Sequence, residues 1–184
     1  MARLPIRRYQ GEVCVVETPR DLARAQADLL EEDLVGFDTE TRPAFTKGVH
    51  HLPCLVQVAT ARAVYLFPLR WQEVFPVLAG MLSASRIVKA GIGFADDLRS
   101  LKDVFPFEAV NMFDPGSIAR RYGLEHSGLR NLAGIFLRFR IPKGKQTSNW
   151  AAAQLSPAQI LYAATDAWAC RELYLHYRAS GMVK

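Results

Sequence analysis

The sequence holds few cysteines and no long apolar run. Cys14, Cys54 and Cys170 are odd in number and lack C-x-x-C spacing, so free thiols in a reducing cytoplasm are expected. No stretch is apolar for long enough to span a bilayer. Arg3, Arg7 and Arg8 lie within the first ten residues, but no apolar segment follows them, which excludes a secretory signal. Internal repeats, low-complexity tracts and linkers are also lacking. His50, His51, His126 and His176 show no metal-ligand spacing and read as surface residues. Gly91-x-Gly93 has Asp96 where a dinucleotide fingerprint needs its third glycine, and an acid there would repel a pyrophosphate.

What is present suits a single domain spanning residues 1–184. Hydrophobic residues make up 50% and charged residues 22%, ordinary values for a soluble globular protein. The net charge is +5, and the balance becomes more positive still if some acids are occupied by metal. Such a surface suits a polyanion, although a modest positive charge also serves solubility alone.

Residues 12–16 alternate and are β-branched, which predicts a short strand. Thr18, Pro19 and Asp21 read as N-cap, first helical position and first-turn acid of a helix reaching about Glu32, with Leu22, Ala25, Leu29 and Leu30 on its apolar face. A central strand over 33–40 and a polar, mobile loop over 41–51 follow. Residues 55–60 and 63–68 predict an antiparallel hairpin. Helical spacing covers 71–82, a strand 86–90, a helix 95–104 and a last strand 110–113. Asp114 caps the next helix, and Ser127 is expected to cap another over 128–136. Ser156, Pro157 and Gln159 form a full capping box that opens a long helix to about Tyr177. Strands mixed with helices and one hairpin imply an α/β fold whose mixed central sheet is flanked by helices on both faces.

The chain is organised around Leu34-Val35-Gly36-Phe37-Asp38-Thr39-Glu40, an apolar run ending in two carboxylates one residue apart. Side chains alternate along a strand, so Asp38 and Glu40 share a face and Thr39 turns to the other. Paired acids repel unless something positive sits between them, and hard oxygens suit Mg²⁺ or Mn²⁺ better than zinc. Read alone, the pair is equally an acidic strand end facing water. In the last helix Tyr162 and Asp166 stand one turn apart on one face. Ala163, Ala164, Ala167 and Ala169 around them permit a close approach to a sheet, as bringing Asp166 toward Asp38 and Glu40 requires. Read alone, this too is a good helix former with one surface acid. Asp97, like its neighbour Asp96, sits where backbone amides at a helix start favour any acid.

Together the acids make an ordered set that resembles the DEDDy group of 3′-to-5′ exonucleases, the RNase D and Werner-syndrome exonuclease family. Val35-Gly36-Phe37-Asp38-Thr39-Glu40 is similar to its first motif, and Lys89-Ala90-Gly91-Ile92-Gly93 with Asp97 and Leu98 to its second. Ser148-Asn149-Trp150, Leu155-Ser156, Gln159 and Leu161-Tyr162-Ala163-Ala164-Thr165-Asp166-Ala167 are similar to its third. A sister group places histidine five residues before the last aspartate; Leu161 stands there, so the tyrosine class applies.

The resemblance covers nearly the whole chain and implies an RNase H-like fold with two-metal hydrolysis at nucleic acid 3′ ends. The cofactors implied are two divalent ions, Mg²⁺ or Mn²⁺, held by Asp38, Glu40, Asp97 and Asp166, with Asp38 bridging and Tyr162 orienting the attacking water. Candidate substrate contacts are Thr39 and Thr41, Arg140, Lys143 and Lys145 of the basic stretch that begins at Arg138, and Trp150, which either stacks on a base or packs beneath its loop. Gln57 reads as a sheet-face polar group or a neighbour of the site. Relatives carry further domains for which no room remains before Lys184, so a stand-alone nuclease domain is expected. The competing functions are a catalytically inactive binding module on the same fold and an endonuclease.

Overall fold

The computed structural model describes residues 3–46 and 48–183. Lys47, within the loop expected over 41–51, lies outside them. The elements run β1 (Glu12–Val15), α1 (Pro19–Glu31), β2 (Leu34–Thr41), β3 (Pro53–Ala59), β4 (Ala63–Pro68), α2 (Phe75–Ser83), β5 (Val88–Ala90), α3 (Ala95–Lys102), β6 (Met112–Phe113), α4 (Pro115–Arg121), α5 (Leu129–Leu132) and α6 (Pro157–Ala179). The strands form one six-stranded sheet in the order β1-β4-β3-β2-β5-β6. β3 pairs antiparallel with β2 and β4, as the hairpin spacing predicts, and the other three pairings are parallel. The mixed sheet and its two covered faces agree with the sequence reading.

Alternation along the strands sorts the two cores. Val35, Phe37, Val56, Val58, Tyr65 and Phe67 face Leu29 of α1, Leu78 and Leu82 of α2 and Leu98 and Leu101 of α3. On the opposite face Leu55, Ala59, Val64 and Leu66 meet Ala163, Ala164 and Ala167 of α6. Two of the anticipated caps, Thr18 with Asp21 and Ser156 with Gln159, form reciprocal capping boxes. Asp114 caps α4 by accepting from the Gly116 amide at 2.7 Å.

Several boundaries differ from the sequence reading, for local reasons. Leu30 is 64% exposed, not part of the apolar face. Asp28 is buried in that face instead, because its carboxylate accepts from the Tyr65 hydroxyl and pairs with Arg62. Arg86 lies outside β5, its guanidinium turned back onto the Leu29 and Glu32 carbonyls at the end of α1. Residues 71–82 divide into a 3₁₀ turn (Gln72–Val74) and α2, with Pro76 in the first turn of α2. Ser127 does not cap α5; its hydroxyl accepts from Arg120 at 2.7 Å, and Gly128 takes the cap position without a side-chain bond. The helix expected over 128–136 is four α-helical residues followed by a π-helical turn, Ala133–Leu137, which Arg138 ends in the left-handed region at φ 60°.

The contact that sets the site is between α6 and β2. A Cβ on Gly36 would stand 1.9 Å from the Ala167 carbonyl oxygen, so the helix backbone rests directly on the strand. Gly36→Ala is therefore expected to cost about 3 kcal/mol or more through overpacking. Gly80, in α2, has open space around it. Gly80→Ala should leave stability unchanged or raise it, by up to about 1 kcal/mol. Thermal unfolding of the two variants checks the contrast: a fall of roughly 10 °C for the first and none for the second.

Candidate active site

β5 pairs with β2 only over Leu34–Gly36, whereas β3 accompanies β2 to Thr41. Asp38 and Glu40 therefore extend past the end of β5, on the face that α6 covers. The turn leaving β5 hugs the exposed strand edge: a Cβ on Gly91 would lie 2.6 Å from the Phe37 carbonyl oxygen, so only glycine allows this approach. α6 then delivers Tyr162 and Asp166 from above. Asp97 arrives from the other layer, since α3 anchors Leu98 and Leu101 in the opposite core and its first turn reaches over the sheet edge.

One carboxylate oxygen each from Asp38, Glu40 and Asp166 lie within 4.8 Å of one another. Asp97 lines the same cleft, of about 410 Å³, together with Thr39, Thr41 and Tyr162. Four acids separated by up to 128 positions of sequence thus converge where the sequence reading puts them.

A family model described as 3′-5′ exonuclease matches residues 13–178. The chain belongs to that exonuclease family. The mouse protein "Bifunctional 3′-5′ exonuclease/ATP-dependent helicase WRN" is 29% identical over 93% of the chain, which spans 13% of that protein's length. Ribonuclease D of Gluconacetobacter diazotrophicus is 29% identical over 87% of the chain, 41% of that protein. The Aedes aegypti Nibbler EXO domain superposes with a TM-score of 0.83 at 21% identity, covering 94% of this chain and 91% of that one.

The electrostatics of the acid cleft favour a cation. Burial, then the nearby Asp166 charge, raises the Asp38 carboxyl well above the usual carboxylate range. Burial, with Asp38, Asp166 and Asp97 added, pushes Glu40 up to about 9. Asp166 is pushed up to about 6 by burial, with Tyr162 and Arg130 pulling the other way. Asp97 is raised by burial and by Asp96. The Asp166 Oδ1 atom is buried without a hydrogen-bond partner. An all-oxygen set with an orphaned acceptor and mutually repelling charges fits hard divalent ions.

The expected substrate contacts divide. Thr39 and Thr41 line the acid cleft. Lys143 and Lys145 are exposed and flank a hollow that Tyr162 also lines. Arg140 is held instead by the N-terminal segment, its Nε donating to the Leu4 carbonyl at 2.9 Å. Trp150 is only 2% exposed and packs beside Tyr162, with ring centroids 5.9 Å apart, so it offers no open face to a base. Gln57 lies directly across from Asp38, fully buried, with both amide atoms unpartnered. Sequence reasoning missed Arg130, which lines the cleft and donates to the Tyr162 hydroxyl at 3.3 Å. No spacing signal marks it, because its partner is 32 residues away in α6.

The raised carboxyls fix the sign of a pH effect in metal-free protein. Glu40 ionises near 9 when folded and near its ordinary value of about 4.3 when unfolded. Its stabilising contribution is therefore complete in acid and is lost as pH rises between those values. Lys89, pushed down to about 8 by burial, adds the opposite trend only above that pH. The melting temperature in chelator should fall between about pH 5 and pH 8, Glu40→Gln should flatten the fall, and Mn²⁺ should raise stability most at the upper end. Calorimetry across that range, with and without metal, checks all three.

Proposed function

We propose that residues 1–184 act as a single exonuclease domain that removes nucleotides from 3′ ends of DNA or RNA, with two divalent ions, Mg²⁺ or Mn²⁺, releasing nucleoside 5′-monophosphates. The observation that carries this reading is the convergence of Asp38, Glu40 and Asp166 oxygens within 4.8 Å, with Asp97 in the same cleft. In the reaction a water oxygen bonds to the terminal phosphorus, the bond from phosphorus to the O3′ of the preceding nucleotide breaks, and that oxygen takes up a proton. Bound ions would supply hydroxide near neutral pH and offset charge developing at phosphorus.

The chain's own residues do the holding and orienting. Asp38 is central, sharing the oxygen cluster with Glu40 and Asp166 and lining one cleft with Asp97. The Tyr162 phenol is raised above its ordinary value by burial and by Asp166 and Glu40, so it stays protonated at neutral pH. It serves as a hydrogen-bond donor that positions water rather than as a base. Exposed Lys143 and Lys145, which line a hollow that Tyr162 also lines, would contact the strand's phosphates. Among the described residues no helix is long and apolar enough to cross a membrane, and the free cysteines Cys14, Cys54 and Cys170 suit a reducing cytoplasm.

A 5′-labelled oligonucleotide should shorten in single-nucleotide steps with Mn²⁺. An intact product would support a binding module, and internal cuts an endonuclease. Asp38→Asn is expected to lower the rate by about 10³-fold or more, and Tyr162→Phe by about 10²-fold. Matched RNA and DNA substrates, single-stranded and recessed, decide the sugar and end preferences. Binding should weaken steeply with salt, measured by anisotropy between about 50 and 200 mM; a flat response would count against phosphate contact.

A further inference from the structure

We propose that Arg130 grips the scissile phosphate of the 3′-terminal nucleotide, acting as the exonuclease cleft's own cation. This rests on the exonuclease reading above and assigns a substrate contact within that site. Among the described residues lining the acid cleft, Arg130 is the one cation. It also lines an adjoining hollow of about 320 Å³ with Lys143 and Asp166. Its side chain is incompletely used: one Nη donates to the Tyr162 hydroxyl at a long 3.3 Å, and Nε is buried with no partner. Among the described residues it forms no ion pair within 4 Å of a carboxylate, unlike Arg24, Arg62 or Arg171.

A half-buried guanidinium with free donors beside a cluster of acids is a poor arrangement for structure alone. Once divalent ions take over those carboxylates, the guanidinium faces added positive charge and needs an anion of its own. The phosphate that brings two non-bridging oxygens into the cleft supplies one, with the planar fork suited to both oxygens. The bond to Tyr162 places that fork next to the hydroxyl that orients water.

The test is Arg130→Met and Arg130→Lys, each compared with wild type by calorimetric titration of adenosine 5′-monophosphate in saturating Mn²⁺, by titration of Mn²⁺ alone, and by steady-state trimming. In Arg130→Met, adenosine monophosphate should bind about tenfold or more weaker, Mn²⁺ alone should bind as well as or better than to wild type, and kcat/KM should fall by about 10²–10³-fold. Arg130→Lys, which keeps the charge without the fork, should recover part of both losses. Unchanged monophosphate affinity in Arg130→Met would overturn the assignment, as would an equal loss in Mn²⁺ affinity, which marks a structural role. If Arg130→Met does not fold, as read by its melting curve, a wild-type-like monophosphate affinity in Arg130→Gln overturns it in the same way and a tenfold loss supports it. The binding measurement needs no turnover, so a wild-type protein that trims nothing tells against the exonuclease reading and leaves the phosphate site separately readable.

Discussion

Repulsion among carboxylates at the end of β2 is the constraint on which the rest of the structure depends. Asp38, Glu40 and Asp166 hold oxygens within 4.8 Å of one another, and burial leaves little water to screen them. An arrangement of this kind survives only if the surrounding fold over-determines it. Here two rigid devices do so. Gly36 lets the α6 backbone settle onto β2, and Gly91 lets the turn after β5 press against the Phe37 carbonyl. Neither glycine touches the cleft, yet each sets a distance across it.

The same logic explains why the cleft lies at this edge. β5 stops opposite Gly36 while β3 continues, so the last residues of β2 are paired on one side and open on the other. Helices on both faces converge over the gap, α6 from one layer and the first turn of α3 from the other. The capping box at Ser156 and the Gln159 amide, which donates to the Asn149 carbonyl at 3.2 Å, fix the start of α6 against the preceding loop. The N-terminal segment straps the far side, Tyr9 donating its amide to Thr165 Oγ1 at 3.1 Å and Ile6 bridging to Arg140. Polar groups kept in the interior at a cost mark the same neighbourhood. Gln57, across the sheet from Asp38, leaves two amide atoms without partners, a burial that costs about 1–3 kcal/mol per group.

Local chemistry was legible in the sequence wherever one residue and its near neighbours settle the outcome. The caps at Thr18, Asp114 and Ser156 depend on bonds spanning two or three residues, and all three form. Alternation put Asp38 and Glu40 on one face of β2, and in the structure Val35 and Phe37 fill the core on the other, because the period of a strand is fixed by backbone geometry. The acid set and its order identified the family. Apolar pattern failed at Leu30, where a buried Asp28 with its own partners displaced a better hydrophobe, and the cap reading failed at Ser127, whose hydroxyl found Arg120 instead of the helix amides.

Tertiary structure alone decided what depends on contacts between distant segments. Arg140 and Trp150 look like substrate contacts until the N-terminal segment takes the first and the core the second. Arg130 looks like an ordinary surface position until α5 packs beside α6 and sets its guanidinium against Tyr162. Residue type and spacing determined which acids could share a face and a cleft, since those follow from side-chain properties and backbone periods. Which of the remaining charges face the cleft was left to packing, because a long cationic side chain commits to whichever acceptor the folded chain brings within reach.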